Sequence, residues 1–411
     1  MGLRREARPI VNAISPHTSA PRVASAGAAV SLDRLGGVVA VLIGVALFVA
    51  PFVTYRANRI VAGEARMLLD ALPMAMAVGV MSVALGVALV AATIRQPILR
   101  LSAAALGLAV IFLAVGRAPG FVTPPGNTFA RVSPAFGFWL LTLAFALLVA
   151  DSITRLRLGP FARLAALAVA AAAMAMLLLS GAWDGLSLLK EYATRADSFW
   201  REARQHLFLA LGSLAAATLV GLPLGMVCYR VPRIKTAILQ VLNIIQTIPS
   251  IALFGILMVP LSILSAKVPL AAALGIHGIG AAPAFVALFL YSLLPVVANT
   301  VVGLEQVPAS VVDAARGMGL SKRQRLFQVE LPLAFPIILT GIRIVLVQNL
   351  GLATVAALIG GGGFGTFVFQ GIGQTAIDLV LLGAIPTVAL SFMAAVILDA
   401  AIDLARGPSR D

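Results

Sequence analysis

The sequence predicts an all-α integral membrane protein with about ten transmembrane helices. Hydrophobic residues occupy 61% of the 411 positions and charged residues only 11%, which is too little charge to cover a water-soluble domain of this length. The apolar residues lie in long blocks, several of which reach the roughly 20 residues that cross about 30 Å of hydrocarbon as a helix. These blocks lack the alternation of a β-barrel, the other fold that satisfies its backbone in lipid.

Ten apolar segments are predicted to span the membrane. They are Leu35–Thr54, Leu72–Thr93, Leu99–Gly116, Ala135–Ile153, Phe161–Gly181, His206–Tyr229, Ala237–Leu264, Ala282–Gly303, Pro336–Ile359 and Leu379–Leu404. Leu99–Gly116 is short, and a partly re-entrant path is left open for it. The first block exceeds the 7–15 residues of a signal-peptide core, so an uncleaved first span is expected.

The distribution of basic residues predicts the orientation. With ten spans and the N-terminus inside, the cytoplasmic segments hold 19 Lys and Arg residues and the opposite side holds 9. Basic loops favour the cytoplasmic side, so both termini are expected there, in a multi-pass protein of the bacterial inner membrane. The loop with Arg56, Arg59 and Arg66 goes against this bias.

The chain divides into five regions. A basic tail rich in Ser, Ala and Pro is expected to be disordered, and a connector with Trp183, Phe199 and Trp200 is expected to lie at the headgroups. The regions are a cytoplasmic tail (1–34), an extra N-terminal transmembrane region of five helices (35–181), an external interfacial connector (182–204), a core (205–404) and a second cytoplasmic tail (405–411).

Several classes of function are not supported by the sequence. The net charge of +14 would suggest nucleic acid in a soluble protein, but here basic loops explain it, so no nucleic-acid partner is expected. The single Cys228 excludes an intramolecular disulfide and a multi-cysteine metal site. No GxxxxGK[ST] motif occurs, and no catalytic set, metal site or bound cofactor is predicted.

Polar residues within the spans concentrate in the second half and mark candidate positions of a translocation pathway. Polar groups in hydrocarbon are costly and face a bundle interior, a partner or a water-filled path, so interhelical hydrogen bonding is the alternative for each. The candidates are Gln246, Tyr291, Asn299, Gln348 and Asn349. Arg343, some seven residues into its span, is expected to snorkel to the headgroups.

The stretch 307–336 predicts a rigid helix–glycine–helix loop on the cytoplasmic face. Ser310 with Asp313 resembles a capping box, and a first helix should end at Gly319. Ser321 and Gln324 form a second capping box, and Leu331-Pro332 is expected to end the second helix near Glu330. An ordinary surface hairpin has the same spacing.

At this loop the sequence resembles the EAA loop of ABC importer permeases, EAA-x3-G-x9-I-x-LP. Asp313-Ala314-Ala315, Gly319 and Val329-x-Leu331-Pro332 match every spacing, with Asp for Glu and Val for Ile. In that family the first helix of the loop docks into a cleft of the ATPase subunit. The resemblance therefore implies coupling roles for Asp313, Ala314, Ala315, Gly319, Ser321, Leu331 and Pro332. The alanines are small enough for close approach, and glycine sets the angle between the helices.

Further stretches are similar to the glycine betaine/choline/proline branch of these permeases, and the long N-terminal region is similar to Yeh-type osmoprotectant permeases. The stretches are Gln246–Ser250, Leu290–Pro295 leading to Asn299-Thr300, and Ala357–Gly365. The resemblance covers about Trp200 to Leu404 and implies a type I ABC importer (MetI-like) permease core. Gly360–Gly365 lacks a following Lys-Ser/Thr, so flexible or re-entrant backbone near the pathway mouth is expected rather than a phosphate cradle.

The resemblance implies a non-catalytic subunit that works with several partners. These are a P-loop ATPase that binds ATP and Mg, a periplasmic or extracellular substrate-binding protein, a second permease copy or a shorter paralogue, and membrane lipid. The implied substrate is glycine betaine or a related osmoprotectant. The alternatives are an amino acid such as methionine or another small solute, an ion-coupled carrier, and a non-transporting membrane sensor.

Overall fold

A computed structural model describes residues 33–59 and 61–407, and it is nearly all helix. The predicted tail 1–34 lies almost wholly outside the described residues, as does most of the C-terminal tail. Helices α1 to α7 are Arg34–Phe48, Leu68–Ala71, Met74–Thr93, Pro97–Val122, Phe136–Leu156, Pro160–Leu179 and Ser187–Thr194, with strands β1 to β3 at Val53–Arg56, Glu64–Arg66 and Arg131–Pro134. Helices α8 to α17 are Ala196–Arg230, Pro232–Thr247, Ser250–Lys267, Pro269–Ala273, Ala281–Glu305, Ala309–Gly317, Lys322–Arg325, Leu331–Val355, Gly365–Gly373 and Ile377–Arg406.

Nine helices within 33–59 and 61–407 are long and apolar enough to cross a membrane, and α1 is a tenth, shorter apolar helix of 15 residues. The prediction of about ten transmembrane helices is therefore confirmed. The predicted segment Leu99–Gly116 is not short, because α4 runs over 26 residues and has the length of a complete span. The predicted first span is too long, because α1 ends at Phe48 and β1 begins at Val53.

One predicted span is broken into two helices. The segment Ala237–Leu264 consists of α9, which ends at Thr247, and α10, which begins at Ser250. Ile248 is extended and Pro249 occupies the N-cap of α10. A proline removes a backbone donor and disfavours helical geometry at the preceding residue, so the break follows from Ile248-Pro249.

The N-terminal half forms its own apolar core and carries a small sheet that the sequence did not reveal. Helices α1, α3, α4 and α5 enclose this core. The antiparallel sheet has the order β2-β1-β3 and pairs Thr54 with both Ala65 and Ser133. Trp183, predicted at the headgroups, is instead buried against this core and donates to the Phe112 carbonyl at 2.8 Å.

A buried arginine joins three helices at the end of the N-terminal half that lies on the same side as the loop 307–336. Arg100 is fully buried and donates to the Ile94 and Ala91 carbonyls at 2.6 and 2.7 Å. Its guanidinium lies 2.5 Å from a carboxylate oxygen of Asp33 and 3.2 Å from one of Asp151. The hydrogen bond from Arg100 lowers the pKa of Asp33 below its ordinary value. This end of α4 is thereby anchored to α1 and α5.

The C-terminal half is a bundle built around α12, which packs against α8 and α15. Small residues let α8 and α12 approach closely: a Cβ placed on Gly225 would lie 2.6 Å from the Thr300 Cβ. The two halves meet along α17, which packs against α6 and α7. Ser133 of β3 donates to Asp378 at the start of α17 at 2.9 Å, and Arg163 pairs with Asp403 near its end.

Candidate functional site

The first helix of the loop 307–336 is present, but its start differs from the prediction. Helix α13 runs from Ala309 to Gly317, with Pro308 at the N-cap and no side-chain capping bond. The predicted capping box of Ser310 and Asp313 is therefore wrong, because Ser310 already lies inside the helix. Pro308 fixes the extended geometry that precedes a first turn.

Gly319 ends this helix in the left-handed conformation that the sequence predicts. Its φ is +82°, and the Leu320 amide donates back to the Ala315 carbonyl at 3.2 Å. A β-carbon destabilises this backbone conformation, so glycine is the residue that turns the chain here at least cost. The angle between the two helices of the loop therefore depends on Gly319.

The second helix begins with the predicted capping box. The backbone N–H of Gln324 donates to Ser321 Oγ at 3.3 Å, and the backbone N–H of Ser321 donates to Gln324 Oε1 at 2.9 Å. Neither backbone N–H has a partner within the helix, and this reciprocal pair of hydrogen bonds satisfies both.

Leu331-Pro332 does not end the second helix, contrary to the prediction. Helix α14 continues through a π-helical turn, Leu326–Glu330, into α15, and the helical run Lys322–Ile359 is 38 residues long. Pro332 lies in the first turn of α15. The wider turn before it accommodates a proline that lacks the donor for regular α-helical bonding. The loop therefore continues into α15 without an interruption in the helix.

The exposed face of α13 is small and lies at the tip of the loop. The Asp313 side chain is 70% exposed and Met318 is 73% exposed, and Ala314 lies between them on the surface. Ala315 is buried against its own chain, at 1% exposure. Of the two predicted alanines, only Ala314 is therefore exposed, whereas Ala315 is buried where α13 packs against the π-helical turn.

A buried ionic cluster joins the loop to the end of α8. The Glu330 carboxylate is 3% exposed and lies 3.6 Å from the Arg230 guanidinium and 3.8 Å from the Arg325 guanidinium. Arg230 also donates to the Lys322 carbonyl at 3.0 Å. Sequence reasoning missed this cluster, although a glutamate directly before an apolar span was a usable signal. The cluster fixes the position of the loop relative to the core.

The predicted pathway residues are not gathered in one place. Asn349 is fully buried, donates to Ser213 and Ser292 at 2.9 Å, and so joins α15 to α8 and α12. Asn299 donates to the Pro295 carbonyl of its own helix at 2.8 Å. Both geometries favour packing within the bundle, the alternative considered for each polar residue.

Gln246 and Tyr291 instead hold the broken span against α12. Gln246 donates to the Tyr291 carbonyl at 2.7 Å, and the Tyr291 hydroxyl donates to the Ile248 carbonyl. Gln348 is half-buried and makes no side-chain hydrogen bond within the described residues. It is therefore the candidate with a polar group still available to a solute.

The glycine-rich loop Gly360–Gly365 is held by the start of α8. It lies at the face of the bundle opposite the loop 307–336, here called the far face. The Glu202 carboxylate accepts from the Gly363 amide at 2.7 Å, and Gln205 donates to the Gly361 carbonyl at 2.9 Å. Gly362 and Gly363 have φ of +75° and +85°. A Cβ on Gly362 would lie 2.9 Å from Gln205 Cγ, so glycine at this position lets the loop pack closely against α8.

Arg343, which was expected to snorkel to the headgroups, has a partner within the chain. Its guanidinium pairs with Asp399 of α17, and both side chains are partly exposed, at 34% and 40%. The pairing lowers the cost of a cation within the span. Asp399 was not identified as this partner from the sequence, because the two residues are far apart in the chain.

The fold and the loop define the class of protein: a membrane-spanning subunit with a rigid loop fixed to its core and presented at one face. Two family profiles match the chain. One is the N-terminal domain of the ABC transporter permease YehY, over residues 33–189, and the other is the binding-protein-dependent transport system inner membrane component, over residues 217–405.

Characterised relatives match the second half of the chain. The osmoprotectant import permease proteins OsmW and OsmY of Salmonella typhimurium are 41% and 42% identical, over 44% and 49% of this chain and 79% of each relative. The carnitine transport permease protein OpuCB of Listeria monocytogenes is 34% identical over 46% of this chain and 79% of that protein. The chain belongs to the family of binding-protein-dependent ABC importer permeases.

Among solved structures, an inward-facing form of the MetNI methionine ABC transporter is similar to this chain. The sequences are 22% identical, and the match has a TM-score of 0.44 and covers 52% of this chain and 98% of the MetNI chain. On the evidence of the family profile and the osmoprotectant permease relatives, the chain is a multi-span permease subunit of an ABC importer, a class that is generally not catalytic itself.

Proposed function

We propose that this chain forms the path by which an osmoprotectant of the glycine betaine, carnitine or choline type crosses the bacterial inner membrane. The printed functions of the relatives support this substrate class. Tyr291 is 4% exposed and hydrogen-bonded to Ile248, so it is not free to form an aromatic cage for a quaternary ammonium group. Much of the selectivity is therefore assigned to an external substrate-binding protein.

The proposed coupling element is α13 together with Gly319 and the Ser321 cap. The exposed face of Asp313 and Ala314 would contact a P-loop ATPase that binds ATP and Mg. The observation that carries this proposal is the Glu330 cluster, which fixes the loop to α8 and to the start of α15. Because Leu331 and Pro332 lie in a continuous helix, movement of α13 would be transmitted into the transmembrane core.

The proposed assembly places two permease chains, this one twice or with a shorter paralogue, on two ATPase subunits, with lipid around the helices. Both termini of this chain are assigned to the cytoplasm, and the far face would receive the binding protein. Gln348 is the side chain most suited to contact a solute in the core, because its amide has no partner among the described residues.

The test is uptake of labelled glycine betaine at low and high salt, with Ala314→Trp and Gly319→Trp variants. Ala314→Trp blocks the exposed face without straining the turn, whereas Gly319→Trp also disturbs the left-handed residue. Ala171→Trp on the exposed surface of α6 is the matched control. Both loop variants should lose uptake at normal membrane levels and release the co-purified ATPase, and the control should retain both.

Two results would overturn the proposal in different ways. Uptake that continues in Ala314→Trp would remove α13 as the docking element. Betaine uptake that does not depend on this chain, with its partners present, would remove the substrate assignment. In that case competition by methionine would identify the amino-acid alternative. An ion-coupled carrier and a non-transporting sensor are not supported by the family to which the chain belongs.

A further inference from the structure

A polar cavity of about 210 Å³ lies at the far face, where the N-terminal half meets the core. It is called the far-face cavity here. Its walls come from β1, the segment after β1, β3, α7 and the turn between α16 and α17. The polar and charged side chains that line it include Arg56, Arg59, Arg131, Glu191, Gln374 and Asp378.

Three guanidinium groups and two carboxylates face this cavity. Glu191 is 6% exposed and lies 3.6 Å from Arg59 and 3.7 Å from Arg131. These separations exceed the 2.7–2.9 Å of a direct charge-assisted hydrogen bond. Arg195 also pairs with Glu191, at 3.4 Å. Positive charge is therefore in excess around the cavity, and the N–H donors of these guanidinium groups are only partly engaged in hydrogen bonds.

Several buried polar atoms in the walls have no partner. They are Arg56 Nε, Arg131 Nη1 and Asp378 Oδ1. Asp378 is 7% exposed, and its other oxygen accepts from Ser133. Buried polar atoms in native proteins are nearly always hydrogen-bonded, so three unpaired atoms around one cavity indicate a ligand that pairs with them.

The backbone at the cavity wall is in a rare conformation. Thr375 has a φ of +51°, one of two non-glycine residues with positive φ in 33–59 and 61–407. A β-branched residue in this region is strained, and such strain persists where the surroundings hold it and often accompanies a binding site. The neighbouring Gln374 accepts a hydrogen bond from Arg59 at 3.3 Å.

The chemistry of the walls selects a kind of ligand. The excess guanidinium donors suit a carboxylate, which they bind with matched planar geometry. The free Asp378 oxygen suits an ammonium group that donates hydrogen bonds. The volume corresponds to about seven waters at roughly 30 Å³ each, so a solute of fewer than about ten heavy atoms fits. No aromatic residue is among the lining residues, so the walls lack the cage that favours a quaternary ammonium.

We propose that the far-face cavity binds a small zwitterion of the α-amino-acid class, separately from any solute in the translocation pathway. The carboxylate would lie against Arg56 and Arg131, and the ammonium group would donate to Asp378. Because the walls come from both halves of the chain, a bound zwitterion would strengthen the contact of the N-terminal half with α17 and so regulate the core. The proposal does not depend on which solute is transported.

The test compares radiolabelled glycine with glycine betaine on the full chain in lipid nanodiscs. The two probes share a carboxylate and differ only in the three methyl groups that remove the N–H donors. Glycine should bind at millimolar concentrations or tighter, and glycine betaine should compete at least about tenfold more weakly. Acetate should also compete poorly, because it lacks the ammonium group.

Variants locate the site. Asp378→Asn keeps the shape and the Ser133 contact but removes the charge, and it should weaken glycine binding about tenfold. Arg59→Gln, at a rim position that is 44% exposed, should weaken it about threefold without affecting folding. Asp197→Asn removes an exposed carboxylate at the start of α8 and should leave binding unchanged. Thermal unfolding of each variant in nanodiscs reports on folding.

Three outcomes would overturn the inference. Glycine that does not bind at millimolar concentrations excludes an amino-acid zwitterion from the cavity. Equal binding of glycine and glycine betaine contradicts the role of the N–H donors. Binding that survives Asp378→Asn but is lost in Gln348→Ala places glycine in the pathway, and that result would leave the proposed permease function intact.

Discussion

Replacing Glu330 by glutamine tests whether the loop 307–336 is fixed to the core by charge. Glu330 is 3% exposed and Arg325 is 9% exposed, so the variant leaves a buried guanidinium without its counter-charge. Breaking a buried ion pair costs about 3–5 kcal/mol. The separations of 3.6 and 3.8 Å are longer than an ideal hydrogen-bonded pair, so we expect the lower end, about 3 kcal/mol.

The assay is detergent-induced unfolding of the purified chain, together with ATP hydrolysis by the assembled transporter. Glu305→Gln is the matched control, because Glu305 pairs with Lys235 at 2.5 Å but is 46% exposed. An exposed pair contributes about 0–1 kcal/mol. Loss of the Glu330 charge should also reduce the stimulation of ATP hydrolysis by loaded binding protein, because the loop is no longer held against α8.

A second variant separates the charge from the packing. Exchanging both Glu330 and Arg325 for leucine removes the pair together, and it should recover most of the stability lost in Glu330→Gln. Arg230 tolerates the loss of its partner because it is 32% exposed. The reasoning is refuted if Glu330→Gln costs no more than Glu305→Gln, or if the double variant is less stable than the single one.

Three further predictions concern packing and charge elsewhere. Arg100→Ala should destabilise the chain by about 3–5 kcal/mol in the same unfolding assay, because two carbonyls and the Asp33 and Asp151 carboxylates lose a buried partner. The pKa of Asp33 is lower in the folded chain than its ordinary value of 3.8. The Asp33 carboxylate therefore contributes fully to the stability of the fold only above this pH, and thermal stability should fall as the pH drops below it. Gly225→Ala should cost about 1–3 kcal/mol by overpacking against Thr300, measured by thermal unfolding.

Each of these predictions has a control in the same chain. Arg66→Ala removes an arginine that is 42% exposed and should cost less than about 1 kcal/mol. Asp33→Asn should flatten the pH dependence. Gly86→Ala introduces a methyl group into open space and should not destabilise α3. A cost for Gly86→Ala equal to that of Gly225→Ala would contradict the packing argument. An Arg100→Ala variant as stable as the parent would contradict the cost assigned to its buried hydrogen bonds and ion pairs.

The features that the sequence predicted correctly depend on short stretches of chain. The apolar helices could be counted in the sequence because each must be long enough to cross the hydrocarbon layer. Gly319 and the Ser321–Gln324 box end and begin helices through backbone geometry and contacts three residues apart. The spacing of the EAA-like motif likewise identified the family, because it lies within one loop. Composition and local hydrogen bonding were enough for these features.

The incorrect predictions of helix ends arose where the same local sequence signal, a proline, is compatible with two structures. A proline after a helix usually marks its end, but Pro332 follows a π-helical turn and the helix continues. Pro249, by contrast, does break the segment predicted as one span. Whether a helix ends or adapts at a proline depends on the contacts that its neighbouring turns make, and these lie on other helices.

Only the tertiary structure brought distant polar and charged groups together. Ser133 and Asp378 are 245 positions apart and hydrogen-bonded, and Arg230 meets Glu330 across two helices. Which buried polar groups pair depends on how the helices pack, because each pair must offset the cost of leaving water. The sequence by itself therefore determined a membrane-spanning importer permease and its loop. The packing of the helices decided how that loop is fixed to the core and where the two halves enclose a polar cavity.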